Sequence, residues 1–159
     1  MPLTIRPFAD GDLDTLVALS LRAFAPVHAS LEQVLGDTGG YRQMHPDWRA
    51  GQRETVETVC REHPTWVAEV DGTLAGYVSA QLDREPGLGE IVIIAVDPAH
   101  QGQDVGSALT SHALTWLTDH GMTVAMVETG GDPGHAPARR LYESEGFVLL
   151  PIARYFRRL

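Results

Sequence analysis

The chain has 159 residues, 43% hydrophobic and 21% charged, which describes one globular domain and excludes a disordered or fibrous chain. All 12 basic residues are arginine, so there is no lysine for a pyridoxal aldimine, a Schiff-base aldolase, an NTPase phosphate loop or a protein-kinase strand. The formal charge of −9 disfavours nonspecific nucleic-acid binding and favours cationic or neutral small partners.

The single cysteine, Cys60, leaves no intrachain disulfide and fits a reducing cytosol. No apolar run approaches the ~20 residues that span a bilayer, and the opening MPLTIRPFADGD lacks the pattern of a signal peptide. The expectation is one soluble, cytoplasmic domain over residues 1–159 that engages neither membrane nor nucleic acid.

In chain order, residues 3–8 read as a short strand ended by the turn Ala9-Asp10-Gly11. A helix follows, capped at Asp12, with Leu13, Leu16, Val17 and Phe24 at helical spacing. Asp10, Asp12 and Asp14 lack the glycine and the later bidentate glutamate of a calcium loop, so they read as helix-capping charges. Residues 26–53 carry Gly36, Gly39, Gly40 and Pro46 without a sustained period, and read as a long loop with helical pieces. A helix over residues 47–61 comes next, with Gln52, Val56, Val59 and Cys60 on one face.

The pattern then turns to strands. Residues 65–70 and 74–82 form a hairpin about Asp71-Gly72, a pair suited to positive φ. Residues 90–96, EIVIIAV, are so apolar that they belong in the middle of a sheet. Val105, Leu109, His112, Ala113, Trp116 and Leu117 give a helix ended by Gly121. Residues 123–129 read as a strand, 137–145 as a helix, and 147–150 and 152–156 as two final strands. The order β-α-α-β-β-β-α-β-α-β-β is that of an α/β sheet with helices on its faces.

The segment most informative for chemistry runs from Ile94 through Asp97-Pro98-Ala99-His100-Gln101-Gly102-Gln103-Asp104-Val105-Gly106 to Ser107. A strand, a short glycine-bearing loop and a helix start turn backbone N–H groups and the helix dipole toward one point, an anion site suited to phosphate. Gly102 and Gly106 permit close approach of a ligand, and Asp104 is a residue type that tolerates a left-handed backbone. The same residues also read as ordinary loop glycines before a helix.

Gln101-Gly102-Gln103-Asp104-Val105-Gly106 resembles the acyl-CoA pyrophosphate loop of the GCN5-related N-acetyltransferase (GNAT) superfamily, with Asp104 standing where glycine is usual. His135-Ala136-Pro137-Ala138-Arg139-Arg140-Leu141-Tyr142-Glu143-Ser144-Glu145-Gly146-Phe147 resembles that superfamily's Asn-x-x-Ala-x-x-Leu-Tyr-x-x-x-Gly-Phe, with His135 in place of Asn. The resemblance implies a mixed, mostly antiparallel sheet splayed after its central strand, with helices on both faces. It implies acetyl-CoA as acyl donor, its pantetheine paired with the backbone of Ile94, Ala95 and Val96 like an added strand. Gln101 to Ser107, that is Gln101, Gly102, Gln103, Asp104, Val105, Gly106 and Ser107, would hold the pyrophosphate, with a further cofactor contact at His135.

The implied reaction is direct attack of an amine on the thioester in a ternary complex. Tyr142 matches the general acid that protonates the leaving thiolate, although taken alone, without the surrounding motif, it reads first as a core aromatic beside Leu141. Glu90 opens the apolar strand where one branch of the superfamily carries its catalytic carboxylate. Period-2 alternation puts it on one face with Val92, Ile94 and Val96. It is either the base that takes the amine proton or a solvated strand-end charge, with Glu128 in reserve.

No metal is expected, since the seven histidines show no paired ligand spacing and Cys60 with His63 reads as helix packing. Arg139 and Arg140 oppose the dipole at the start of their helix, which invites a phosphate partner or leaves a solvated face. Acceptor identity should reside in residues 26–53, where His28, Tyr41 and Trp48 either line a pocket or pack the loop down. The expected acceptor is a primary amine of a small molecule. Alternatives are a protein or peptide amine, or a non-catalytic acyl-CoA-binding module, and a homodimer stays open. With no lysine, the α-amine of Met1 is the one internal acceptor.

Overall fold

A computed structural model describes residues 2–159, so the Met1 amine lies outside the described residues. Five strands, β1 (Leu3–Pro7), β2 (Thr65–Val70), β3 (Thr73–Asp83), β4 (Leu88–Val96) and β5 (Val124–Val127), form one sheet in the order β1-β2-β3-β4-β5. The first four are antiparallel and β5 runs parallel to β4. Asp71 (φ 51°) and Gly72 (φ 77°) make the tight β2–β3 turn that the sequence called for.

Helices α1 (Leu13–Leu35) and α3 (Trp48–Glu62) cover one face of the sheet, α4 (Val105–Asp119) the other. Leu16, Val17 and Leu19 of α1 and Val56 of α3 pack on Val67, Tyr77 and Ala95. Val105, Leu109, Ala113 and Leu117 of α4 pack on Val78, Ala80 and Ile91. Burying each of these leucine, isoleucine and valine side chains contributes about 1.5–3 kcal/mol. The short helices α2 (Gly40–Met44) and α5 (Ala136–Ser144) complete the chain's helical elements. Arg6 of β1 grips Asp12 (2.8 Å) and Glu69 (2.8 Å), tying the first strand to the turn that launches α1.

Three sequence expectations need correction. Residues 26–35 are not loop but the second half of α1, which runs through Pro26 to Leu35. An interior proline costs a helix about 3 kcal/mol. This helix continues because buried residues fix it on both sides of the proline: Leu16, Val17, Leu19 and Ser20 before it, His28 after it. Gly36 (φ 46°) and Gly39 (φ 79°) then turn the chain toward α2.

The two final strands, residues 147–150 and 152–156, do not form. Pro151 cannot donate a ladder hydrogen bond, and two side chains draw the tail away from β5. The Phe156 ring packs against Gly40, and Arg158 Nε donates to the Asp37 carbonyl (2.7 Å). Val148, Ile152 and Tyr155 are left exposed.

The third correction concerns β4. Ile91 pairs with Ala80 but Ile93 with Ser79, so Val92 is an extra residue, a bulge. It resets the alternation. Ile91 before it, and Ile94 and Val96 after it, all face α4, while Ile93 and Ala95 face α1 and α3. Glu90 therefore shares a face with Ile93 and Ala95, not with Ile94 and Val96.

Candidate active site

The parallel pairing of β4 with β5 covers only Leu88–Ile91 against Val124–Val127. β4 continues to Val96, still paired with β3 on its other side. Its edge toward β5 is therefore open from Val92 onward, and the sheet splays there. Into the gap opens a cleft of about 850 Å³. Ile91 to Val96 form its floor, with Pro137, Ala138, Leu141 and Tyr142 of α5 along one side. One end is the loop bearing His100, Gln101, Gly102 and Asp104; the other is Ala23, Phe24 and Val27 of α1 with Gln52 and Thr55 of α3.

The loop end is built to leave backbone donors free. Asp97, buried after β4, accepts from Arg22 of α1 and from the Ala99 N–H (3.0 Å), which pins the strand exit to the opposite face. The Arg22 guanidinium holds the Asp97 carboxyl below the usual carboxylate range. Gly102 (φ 76°) and Asp104 (φ 60°, ψ 12°) are both left-handed, and α4 starts at once after them. The first helical bond at this end runs from Ala108 N–H to the Asp104 carbonyl (3.0 Å). The N–H groups of Val105, Gly106 and Ser107 precede it, at the positive end of the helix dipole.

Gly106 also sets the spacing of α4 and α5, because a Cβ there would lie 3.1 Å from Leu141 Cδ2. The Asp104 side chain is exposed and caps nothing. Gln103 and Ser107 are not among the residues facing the cleft, whereas Gln101, Gly102, Asp104, Val105 and Gly106 are.

Tyr142 is 7% exposed, its ring edge-on to Phe147 at 5.9 Å, and burial pushes its phenol up to about 12. At neutral pH it is a proton donor facing the cleft. Glu90 is not in the cleft. It accepts a hydrogen bond from Gln81 Nε2 and lines a separate hollow of about 290 Å³ with Gln81, Leu82, Asp83 and Leu88. Glu128 does line the main cleft, at the end of β5.

His135 lines the cleft from the turn before α5. Its Nδ1 is bonded to Asp132 Oδ1, while Asp132 Oδ2 accepts from Ser30 Oγ of α1 (2.7 Å) and the Gly134 N–H (3.1 Å). Burial pushes the Asp132 carboxyl up, but the bonds from Ser30 and His135 outweigh it and hold it below its ordinary range. The two arginines at the start of α5 separate in role. Arg139 is tied to the Asp132 carbonyl (2.8 Å) and to that of Gly130, whereas Arg140 faces the cleft.

These features match a known family over most of their length. The acetyltransferase (GNAT) family model fits residues 30–147. The chain belongs to the GNAT family. Curated GNAT relatives include two proteins named mycothiol acetyltransferase. That of Thermomonospora curvata is 39% identical over 90% of this chain, that of Acidothermus cellulolyticus 32% identical over 91%. The chain spans 50% and 43% of their respective lengths. Among solved structures, the Escherichia coli ribosomal-protein-S18-alanine N-acetyltransferase is similar with a TM-score of 0.65 at 21% identity, over 91% of this chain and 77% of that one. The Thermoplasma acidophilum PaiA N-acetyltransferase, in complex with coenzyme A, has a TM-score of 0.69 at 17% identity, over 96% of this chain and 94% of that one. At these identities the likeness establishes the GNAT fold.

Within this GNAT domain the α1–α3 end of the cleft is lined by other residues than the sequence suggested. His28 stacks on Trp48 (4.4 Å between centroids) and bonds to the Tyr41 hydroxyl (3.3 Å), so the three aromatics pack α1, α2 and α3 together and do not line the cleft. The residues that do line it, Ala23, Phe24, Val27, Gln52 and Thr55, carried one legible signal: spacings of three and four that put them on single helix faces. Gln52 is buried and donates to Ser20 Oγ (2.8 Å), which bonds in turn to the Tyr77 hydroxyl (2.9 Å). Among the described residues, no group of three or more His, Cys, Asp or Glu is placed to hold a metal, and no helix is long and apolar enough to cross a membrane.

Proposed function

We propose that this GNAT domain transfers the acetyl group of acetyl-CoA to a primary amine of a small molecule, by direct attack in a ternary complex. The observation that carries the reading is the open edge of β4 from Val92 to Val96, which leads straight to the free N–H groups at the start of α4. Pantetheine pairs with the backbone of Ile94, Ala95 and Val96 as an added strand. Its pyrophosphate meets the loop from Gln101 to Ser107 and the α4 N-terminus, with Arg140 as the nearby cation.

With the cofactor so placed, the thioester lies near the divergence of β4 and β5, where an amide of the bulged strand can donate to the developing oxyanion. The amine nitrogen bonds to the carbonyl carbon as the C–S bond breaks. The electron pair leaves with sulfur, which takes the Tyr142 proton. The acceptor enters between α1 and α3, where Phe24, Val27, Gln52 and Thr55 combine apolar surface with two polar groups. A cleft of about 850 Å³ is in the range of small-molecule sites. The relatives named for a small thiol favour that acceptor class over a protein amine. Glu90, expected as the base, reaches an amine in this cleft only through water.

The test is thiol release from acetyl-CoA across a panel of amino sugars, aminothiols, polyamines and peptides, with products identified by mass. The expected result is turnover with a small amine. Binding of acetyl-CoA without turnover on any amine or peptide would replace this reading with that of an acyl-CoA-binding module. Failure to bind acetyl-CoA would remove the loop assignment itself.

A further inference from the structure

We propose that His135, oriented by Asp132, is the base that takes the proton of the acceptor amine; this rests on the acetyl-transfer reading above. The sequence resemblance put a cofactor-binding amide at this position, but the structure gives the imidazole a different setting. Its Nδ1 is spent on Asp132 Oδ1, a carboxylate whose side chain is 6% exposed. A proton on Nδ1, donated to that carboxylate, leaves Nε2 as the unprotonated, basic nitrogen. The ring lines the cleft, and its side chain is 18% exposed, so Nε2 has access to what the cleft holds.

The segment from Gly130 to His135 is shaped around this pair. A Cβ on Gly130 would lie 2.5 Å from both Asp132 Oδ1 and His135 Nδ1, and one on Gly134 would lie 2.5 Å from Ser30 Cβ. Asp132 is further fixed by Ser30 from α1 and by the Gly134 N–H, so neither carboxylate oxygen is free to let the imidazole turn. A mere cap for the turn would require Asp132 and the Gly134 N–H, and no histidine. The same turn abuts α1, the wall of the acceptor end, since Ser30 and His28 both approach it from that helix. Glu90 has none of these attributes: its carboxylate is engaged by Gln81, outside the cleft.

The proton inventory closes with two groups. His135 Nε2 takes one proton from the incoming ammonium, which frees the nitrogen lone pair for attack, and passes it to solvent. The thiolate takes the Tyr142 proton, and the second N–H proton shed as the amide forms restores the phenol. Asp132 is a positioning residue and does not itself change protonation. Asp132 on its own turn bonds His135 and His28 on α1 feels its charge; Glu128 after β5 and Arg140 and Tyr142 of α5 line the same cleft, and Arg139 is tied to the Asp132 carbonyl.

The deciding variant is His135→Asn, which restores the side chain that the family pattern carries. With acetyl-CoA and an amine found active in the panel, kcat is expected to fall by about 10²–10³-fold with KM for acetyl-CoA nearly unchanged, and the ascending acid limb of the kcat/KM profile to disappear. Asp132→Asn should lower kcat less than His135→Asn and shift that limb. In the resting protein, long-range ¹H–¹⁵N correlation should show the Nδ1–H tautomer of His135. Full activity in His135→Asn, or a loss confined to Glu90→Gln, overturns the proposal while leaving the acetyl-transfer reading intact. An Nε2–H tautomer overturns it regardless of activity, and absence of turnover on every amine removes both.

Discussion

Ile91 of β4 and Val127 of β5 are the last partners of the parallel ladder, and one residue later Val92 bulges out of the antiparallel ladder on the other side. The two events are adjacent along β4. Losing β5 leaves that edge of β4 unpaired, and the bulge turns Ile93 and Ala95 toward α1 and α3 while Ile94 and Val96 stay with α4. One strand thus supplies core to both faces and an unpaired edge between them.

That edge needs the α4 N-terminus beside it, and Gly106 keeps it open. Alanine at this position requires Leu141 Cδ2 to yield a few tenths of an ångström; valine adds branches that it cannot clear. Gly106→Ala should stay near wild type. Gly106→Val should lose about 1–3 kcal/mol of stability and weaken acetyl-CoA binding at least tenfold by calorimetry. Wild-type affinity in Gly106→Val would separate the loop from the cofactor.

Asp104 occupies a left-handed position at φ 60° with an exposed carboxylate that caps nothing. Glycine suits that backbone and removes a negative charge from the phosphate end of the cleft. Asp104→Gly should leave stability within about 1 kcal/mol of wild type and acetyl-CoA affinity equal or tighter. A marked loss of affinity would mean that the carboxylate contacts the cofactor.

Burial, with smaller electrostatic contributions from the neighbouring His45, His135 and Arg49, pushes His28 down to about 4. The unfolded imidazole titrates near ~6.5, so below that pH the unfolded chain binds the extra proton and the folded chain does not. Its contribution to stability is full above about pH 6.5 and is lost as pH falls toward about 4. Denaturant melts across that window should show a steeper acid loss in wild type than in His28→Phe, which retains a ring against Trp48. Equal slopes would contradict the assignment.

Alkali tests the other buried ring pair. Tyr142 is pushed up to about 12 by burial, and Tyr77, fully buried, is pushed up further, with its bond to Ser20 only partly offsetting the burial. Unfolded phenols ionise near ~10, where the folded chain keeps both protons. Stability should therefore fall as pH rises above about 10, and Tyr77→Phe should flatten the fall. An unchanged slope in that variant would show that the phenol is not held neutral.

Most of the fold was legible because its signals are local. Asp71-Gly72 fixed the hairpin, the apolar run from Ile91 to Val96 marked the central strand, and the helical spacing of Val105, Leu109, Ala113 and Leu117 placed α4. What failed depends on tertiary partners. Pro26 is tolerated because buried residues hold α1 on both sides of it. Residues 147–156 have strand composition, yet Phe156 and Arg158 find partners near α2 instead of at β5. The face of Glu90 was misread because a bulge has no sequence marker in a uniformly apolar strand. The Asp132–His135 pair was missed for a simpler reason: the family pattern put a cofactor-binding amide at position 135, so the imidazole there was read only as its replacement.

The most direct test of the account is single-turnover and steady-state thiol release by Tyr142→Phe at saturating acetyl-CoA and an active amine, with acetyl-CoA affinity measured in parallel. The expected result is a kcat lower by about 10²–10⁴-fold with the affinity unchanged, as for a group that acts only when sulfur departs. Undiminished turnover in Tyr142→Phe would contradict the account.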